Sequence, residues 1–249
     1  MMGKTFDTIA KTALAAFLTL SLTTPAFALD TAADPAVTPP SDADLAGITC
    51  SISEEKYLPG DYYYCLAEQS YGYKRYEKAQ RYFRIAASWA SKPAQYILGV
   101  MALNGDQQPQ NGPLALAWFT LAAERHREDF ETTYRQVSAA ATPEERKAAD
   151  ALLKTMRPVY ADEIAAVRAE RRYHDGMLKL TRDSAFGVHC LSGIQSGGAT
   201  ASDGSNASIA CGPVAALAHA IDTVAVRVFD GWDAHVTVGA LEPIAPTSK

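Results

Sequence analysis

Two helical faces of the same make-up recur within residues 76–123. Ala79, Tyr82, Phe83, Ala86 and Ala87 stand at i, i+3, i+4, i+7 and i+8, and Ala115, Trp118, Phe119, Ala122 and Ala123 repeat that spacing 36 residues later. This is the period of one apolar helix side. Between the copies, Ala94, Ile97, Leu98, Met101 and Ala102 trace a second helical side. Asn104 and Gly105 are suited to end it, because both tolerate the left-handed conformation of a helix stop. The repeating unit is therefore two helices and a turn. A unit so small cannot bury its apolar side alone, so a period in the thirties predicts a stack of like units, a helical solenoid.

The pattern decays further on without ending. Phe130, Tyr134 and Val137 continue a helical face to about residue 140, and Thr142, Pro143 and Glu145 then read as N-cap, first-turn proline and capping-box partner. Ala149, Leu152, Leu153 and Met156 carry the next helix to Pro158, which is expected to end or kink it. This pair is expected to form a third, degenerate unit. A mostly polar helix over 160–173, with Ile164, Val167 and Ala169 as its apolar positions, suits the closing cap of a stack. Past His174, Asp175 and Gly176 the composition changes. Residues 195–208 are mainly Gly, Ser, Ala and Thr, and a short helical run is expected over 214–221. Val224, Val226 and Val228 then alternate, Asp230 and Gly231 supply a turn, and Val236 and Val238 return, which predicts a β-hairpin. A lone hairpin is marginal, so a further strand is expected over 187–194.

The residues of the repeat resemble the Sel1-like repeat, a relative of the tetratricopeptide repeat. The family's form is matched by Leu98, Gly99, Met101 and Gly105 on the first helix and by Ala115, Trp118, Phe119, Ala122 and Ala123 on the second. Ala79, Tyr82, Phe83, Ala86 and Ala87 match the second helix of the preceding unit. The match covers roughly residues 65–127. The earlier unit's first helix departs from it, with Cys65 and Leu66 where Leu and Gly are expected, as a capping repeat would. Gly99 and the alanine pairs would let helices approach closely, while Phe83 and Phe119 would plug the space between layers. The resemblance implies a short right-handed α-α superhelical stack of about six to eight helices over residues 46–173. With the tail at 177–243, the chain is expected to be mainly α with a small α+β C-terminal appendage. The resemblance further implies an adaptor that holds a protein or peptide in a groove lined by the units' first helices, by position Tyr62, Tyr63, Gln95, Tyr96 and Ala102.

The N-terminus changes the compartment. Lys4 and Lys11 flank a charged start, residues 13–22 are an apolar run, and Pro25, Ala26, Phe27 and Ala28 supply a small-x-small site, so residues 1–28 look like a secretory signal peptide. That run is too short to span a membrane. Residues 29–45, rich in Ala, Pro, Asp and Thr, are expected to be a disordered linker. Export to a periplasm or beyond would put the four cysteines in an oxidising setting. Four cysteines allow three pairings; the local one joins Cys50 to Cys65 and Cys190 to Cys211, closing loops of roughly 15 to 22 residues, each bridge contributing about 3 kcal/mol by chain entropy.

A net charge of −5 argues against nucleic acid as a partner. The serine-elbow, zinc-helix and phosphate-loop motifs are absent from the sequence. His126, His174, His189, His219 and His235 show no metal-ligand spacing, so neither metal nor cofactor is expected. His189 and Cys190, near Ser192 and Ser196, come nearest to a nucleophilic site, but neighbours on a strand point to opposite faces and a bridged Cys190 is no nucleophile. Lys74, Arg75, Lys78, Arg81 and Arg84 cluster with eight tyrosines over 57–82, either as a solvated helix face or as a partner-binding patch. The leading expectation is thus a non-enzymatic exported adaptor. Two others stand beside it: a cell-wall or carbohydrate binder using exposed Tyr, Trp89 and Trp232, and a hydrolase or thiol enzyme with its site in the tail.

Overall fold

The computed structural model describes residues 39–183, 189–192, 209–212 and 214–232, so the proposed signal peptide and most of the linker lie outside it. Local chemistry sets the helices. Helix α1, Asp42–Ala46, opens on a capping box between Ser41 and Asp44, inside the last residues of the expected linker. A 3-10 turn, Ile52–Lys56, leads to α2, Pro59–Gly72, which starts on a proline whose missing N–H costs nothing in a first turn. Helix α3 spans Tyr76–Ser88. Ser91 caps α4, Lys92–Asn104, which stops at Gly105 with φ +72° as the sequence predicts. Asn111 caps α5, Gly112–Ala122, by accepting from the Leu114 amide at 3.0 Å. Helix α6 is Glu128–Ala140, and α7, Pro143–Tyr160, begins on the predicted Thr142–Glu145 capping box. Pro158 does not end α7; the helix runs two residues past it. So near the C-terminus the proline removes only one of the last helical hydrogen bonds.

These helices pack in sequence into a stack. One apolar cluster joins Ala79, Phe83, Ala86 and Ala87 of α3 to Leu98 and Met101 of α4, Trp118 and Leu121 of α5, and Leu153 and Met156 of α7. A second holds Ala102, Ala115 and Phe119, with Tyr96 and Tyr134 packed on it. The two repeat phenylalanines are both buried, at 3% and 0% exposure, but in separate clusters. They do not plug one shared layer; α4 and α5 each lend residues to both clusters and tie the layers together. A Cβ built on Gly99 would lie 2.7 Å from the Phe119 ring, which is why α4 carries glycine there. Cys50 and Cys65 form a disulfide that fastens the segment before α2 to α2 itself.

The C-terminal helices depart most from expectation. Helix α8 spans Asp162–Asp183, running unbroken past His174, Asp175 and Gly176, so the boundary expected near 177 falls inside a helix. Its buried stripe is Ala165, Ala166, Ala169 and Leu180, whereas Ile164 and Val167 are exposed. Small residues let it lie close across the turns of the stack. It opens beside the turn before α6, sets Ala165 and Ala166 on Ala90 in the turn before α4, and brings Leu180 against Tyr57 and Leu58 before α2. Twenty-two residues of helix reach about 33 Å, enough to strap three successive turns. It is a strap along one edge rather than an end cap.

Strands β1, His189–Ser192, and β2, Ile209–Gly212, pair antiparallel with Cys190 opposite Cys211. A bridge between those two would involve side chains outside the described ones. The hairpin predicted from Val224, Val226 and Val228 does not form: all three lie in α9, Val214–Val228. Helical period won because Leu217, Ile221 and Ala225 make a buried i, i+4, i+8 stripe longer than the valine alternation, leaving Val226 76% exposed. Val236 and Val238 lie outside the described residues. Leu217, Ile221 and Ala225 share a cluster with Tyr57, Leu58 and Leu180, so α9 packs on the start of the stack.

Candidate functional site

The residues expected to line a groove are mostly taken up by the fold itself. Gln95 is fully buried, its amide donating to the carbonyls of Ala87 at 3.3 Å and Tyr160 at 2.8 Å. Ala102 is fully buried against Ala115 and Phe119. Neither has surface left for a partner, because α3, α5 and α7 close over α4. Tyr96 stacks on Phe130 with ring centres 5.0 Å apart and reaches Thr133 with its hydroxyl. Tyr62 is buried edge-on to Tyr63. Tyr63 stays half-buried, donating to Glu55 Oε1 at 2.6 Å, and this bond is the first reason its hydroxyl is pushed up to about 12. Three consecutive tyrosines on a helix point about 100° apart, and the third, Tyr64, turns inward to Phe83.

A buried ionic knot lies under the strap. Lys92, 2% exposed, donates to Glu124 at 2.8 Å, to the Leu121 carbonyl at 2.7 Å and to Gln95 at 3.2 Å, and pairs with Asp162 at 3.0 Å. Arg125, equally buried, forks onto Asp162 through Nε at 2.8 Å and Nη2 at 3.1 Å, and donates to the carbonyls of Val228 at 2.6 Å and Ala90 at 3.3 Å. Two cations meet two carboxylates, and among the described residues no buried side-chain polar atom is left without a partner. Burial pulls the Lys92 ammonium below the usual lysine range, with Asp162 and Glu124 opposing that pull. The knot joins α4, the end of α5, α8 and the end of α9. Each donor is already engaged, so its chemistry is fastening.

Sequence reasoning missed this knot. Apart from Gln95, the partners of Lys92 and Arg125 lie 29 to 103 residues away, and Asp162 reads locally as a helix-start acid. The other chemically candidate groups are dispersed. His126 pairs with Glu131 and is largely exposed, and His174 lies 3.8 Å from Glu170. Among the described residues no three of His, Cys, Asp and Glu gather as metal ligands do. A shallow depression of about 560 Å³ is lined by Arg127, Glu128, Asp129 and Thr132, but Arg127 is held by Asp129 and lies over Phe130.

The outer side of α3 is different. Arg75, Arg81 and Arg84 are exposed and Lys78 is half-exposed. Arg75 lies 5.1 Å from the Tyr73 ring centre, and Lys78 and Arg81 lie 5.5 and 5.8 Å from that of Tyr82. None of these four is within ion-pair distance of a carboxylate among the described residues; only Lys74, just before α3, has one, Asp42 at 3.6 Å. No protein-family model, curated protein or solved structure matches the chain. Helix α3 carries an open surface that is both charged and aromatic.

One carboxyl is strongly perturbed. Burial, then the neighbouring charge of Asp61 and a hydrogen bond to it, push Glu54 up to about 8, against the pull of Arg227. The folded state thus keeps a proton between the ordinary carboxylate range and about 8 that the unfolded chain has released. Stability present at low pH is lost as pH rises through that window. The urea midpoint is expected to fall between about pH 5 and about pH 9, and Glu54→Gln to flatten that fall. Identical slopes for the two proteins would contradict the assignment.

Proposed function

We propose that this chain is a non-enzymatic, exported helical-repeat protein of the Sel1-like kind, a right-handed stack that acts as an adaptor for a protein or peptide partner. What supports the repeat reading is the Gly99–Phe119 contact and the recurrence of buried alanines at matching positions of α3 and α5. The Cys50–Cys65 disulfide fits an oxidising compartment. The observation that carries the adaptor reading is the contrast between two sets of charges. Those under the strap are buried and engaged within the chain, while Arg75, Lys78 and Arg81 lie within cation–π reach of tyrosine rings, and neither they nor Arg84 has a carboxylate within ion-pair distance among the described residues. The binding surface is thus the outer side of α3 rather than the groove of first helices.

The carbohydrate reading is less well supported. Trp89 has the Arg168 guanidinium 5.0 Å above its ring, and Trp232 packs beside Ala90 with its indole N–H directed at Glu170. Both platforms are occupied by the strap.

Photo-crosslinking tests the adaptor reading. A photoreactive residue at position 78 or 81 is expected to yield a protein adduct in cells that make the chain, and one at position 147 on the exposed side of α7 is expected to yield none. Equal adducts from both helices, or turnover of a substrate by the purified protein alone, would overturn it.

A further inference from the structure

We propose that the outer side of α3 is a docking strip for an acidic, extended peptide segment of the partner. This rests on the adaptor reading and names the chemistry of what the surface takes. At about 100° per residue, Arg75, Lys78, Arg81 and Tyr82 fall within about 120° of one another, forming one stripe along the helix. Glu77 and Arg84 lie on the adjoining side. From position 75 to position 84 the helix rises about 14 Å, the reach of about four extended residues. The stripe is a row of separated single charges. It is not a convergent cradle of donors such as a phosphate group requires.

The aromatic rings give the stripe a further property. Tyr73, itself exposed, lies within cation–π reach of Arg75, and Tyr82 within reach of Lys78 and Arg81, which restricts the conformations of these three side chains. Ordering three long side chains on docking is therefore less costly than for free surface arginines and lysines. The stripe sets three cations in one row on a chain whose net charge is −5, and an acidic partner segment would be steered to it. The chain itself offers a precedent at one end: α1, an acidic turn carrying Asp42 and Asp44, sets Asp42 against Lys74 at the foot of α3. α1 is held there by backbone contact, since a Cβ on Gly72 would lie 2.3 Å from the Ala46 nitrogen. Lys74, before the helix, thus has its acid, and Arg75, Lys78 and Arg81 have none within ion-pair distance among the described residues.

Fluorescence anisotropy on the full chain tests the proposal, with a labelled peptide of alternating Glu and Ser as probe and the matching Lys and Ser peptide as control. The acidic probe is expected to bind, the basic one not, and added salt to weaken binding. Replacing Arg75→Gln, Lys78→Gln and Arg81→Gln together is expected to weaken it by about tenfold or more, and Lys78→Glu alone by a smaller factor. Lys147→Gln with Lys154→Gln on α7 is expected to change nothing. Circular dichroism melts of the variants guard against unfolding, which these exposed positions should not cause. Equal affinity of wild type and triple variant would overturn the proposal. So would sedimentation with phosphatidylglycerol vesicles through the same residues when the peptide does not bind. If α3 crosslinks to a partner protein that carries no acidic segment, the docking chemistry fails while the adaptor reading stands; if α3 gives no adducts, the adaptor reading fails first.

Discussion

Arg125→Met is expected to destabilise the protein by about 3–5 kcal/mol, the cost of removing one partner from a buried ion pair. The magnitude follows from what is left behind. Asp162, 7% exposed, loses the fork and keeps only Lys92, and the carbonyls of Val228 and Ala90 lose their donor. Arg125→Lys should recover little, because one ammonium cannot reach Asp162, Ala90 and Val228 together. Urea denaturation reads the difference as a lowered midpoint at unchanged slope. A loss under about 1 kcal/mol would place Arg125 with ordinary surface ion pairs.

Gly99→Ala carries the second large effect, and its sign is the diagnostic. On an exposed helix, alanine is better than glycine by about 1 kcal/mol. At position 99 the added methyl would meet the Phe119 ring at 2.7 Å, and Phe119 is completely buried among Ala102, Ala115 and Tyr96, so it has no room to withdraw. Overpacking of this kind costs about 1–3 kcal/mol and outweighs the gain in propensity. Phe119→Leu alone is expected to destabilise through lost packing, yet in the Gly99→Ala background it should cost far less, since the smaller side chain vacates the colliding volume. Strict additivity of the two changes would mean that α4 and α5 do not approach through this pair.

What could be read from the chain was whatever depends on neighbours in sequence. The alanine and aromatic spacing of α3 and α5, the glycine stop at 105 and the Thr142–Glu145 box each rest on contacts within a few residues, and each is present. Ala123 is the exception within the repeat, since α5 ends one residue earlier and leaves it half-buried in a 3-10 turn. What could not be read depends on distant partners. Ile164 and Val167 looked like the apolar side of α8, but the helix lies on its alanines because a strap crossing three turns needs close approach more than bulk. The valines of α9 favour a strand by their branching and alternation, but that preference yielded to Tyr57 and Leu58, over 150 residues earlier, which the opposite, helical stripe could cover. Gln95 shows the same limit at the candidate site: its position on a first helix suggested a groove, whereas α7 supplies the Tyr160 carbonyl that buries it.

The strap also changes how the proposed binding surface is held. Fastening the turns before α2, α4 and α6 along one edge fixes the helix pairs against each other, so the cations of α3 are presented on a scaffold whose ends are joined. Such a scaffold should unfold as one unit, unlike an open repeat array that frays from its ends.

Amide hydrogen exchange on wild type and Arg125→Met tests that most directly. If α8 and α9 belong to the stack, protection in α9 and in the start of α2 falls together in the variant, by the same free energy as the global loss. If α9 instead exchanges early and independently while α2 to α7 keep their wild-type protection, the C-terminal helices are a separate appendage and the strapped scaffold does not exist.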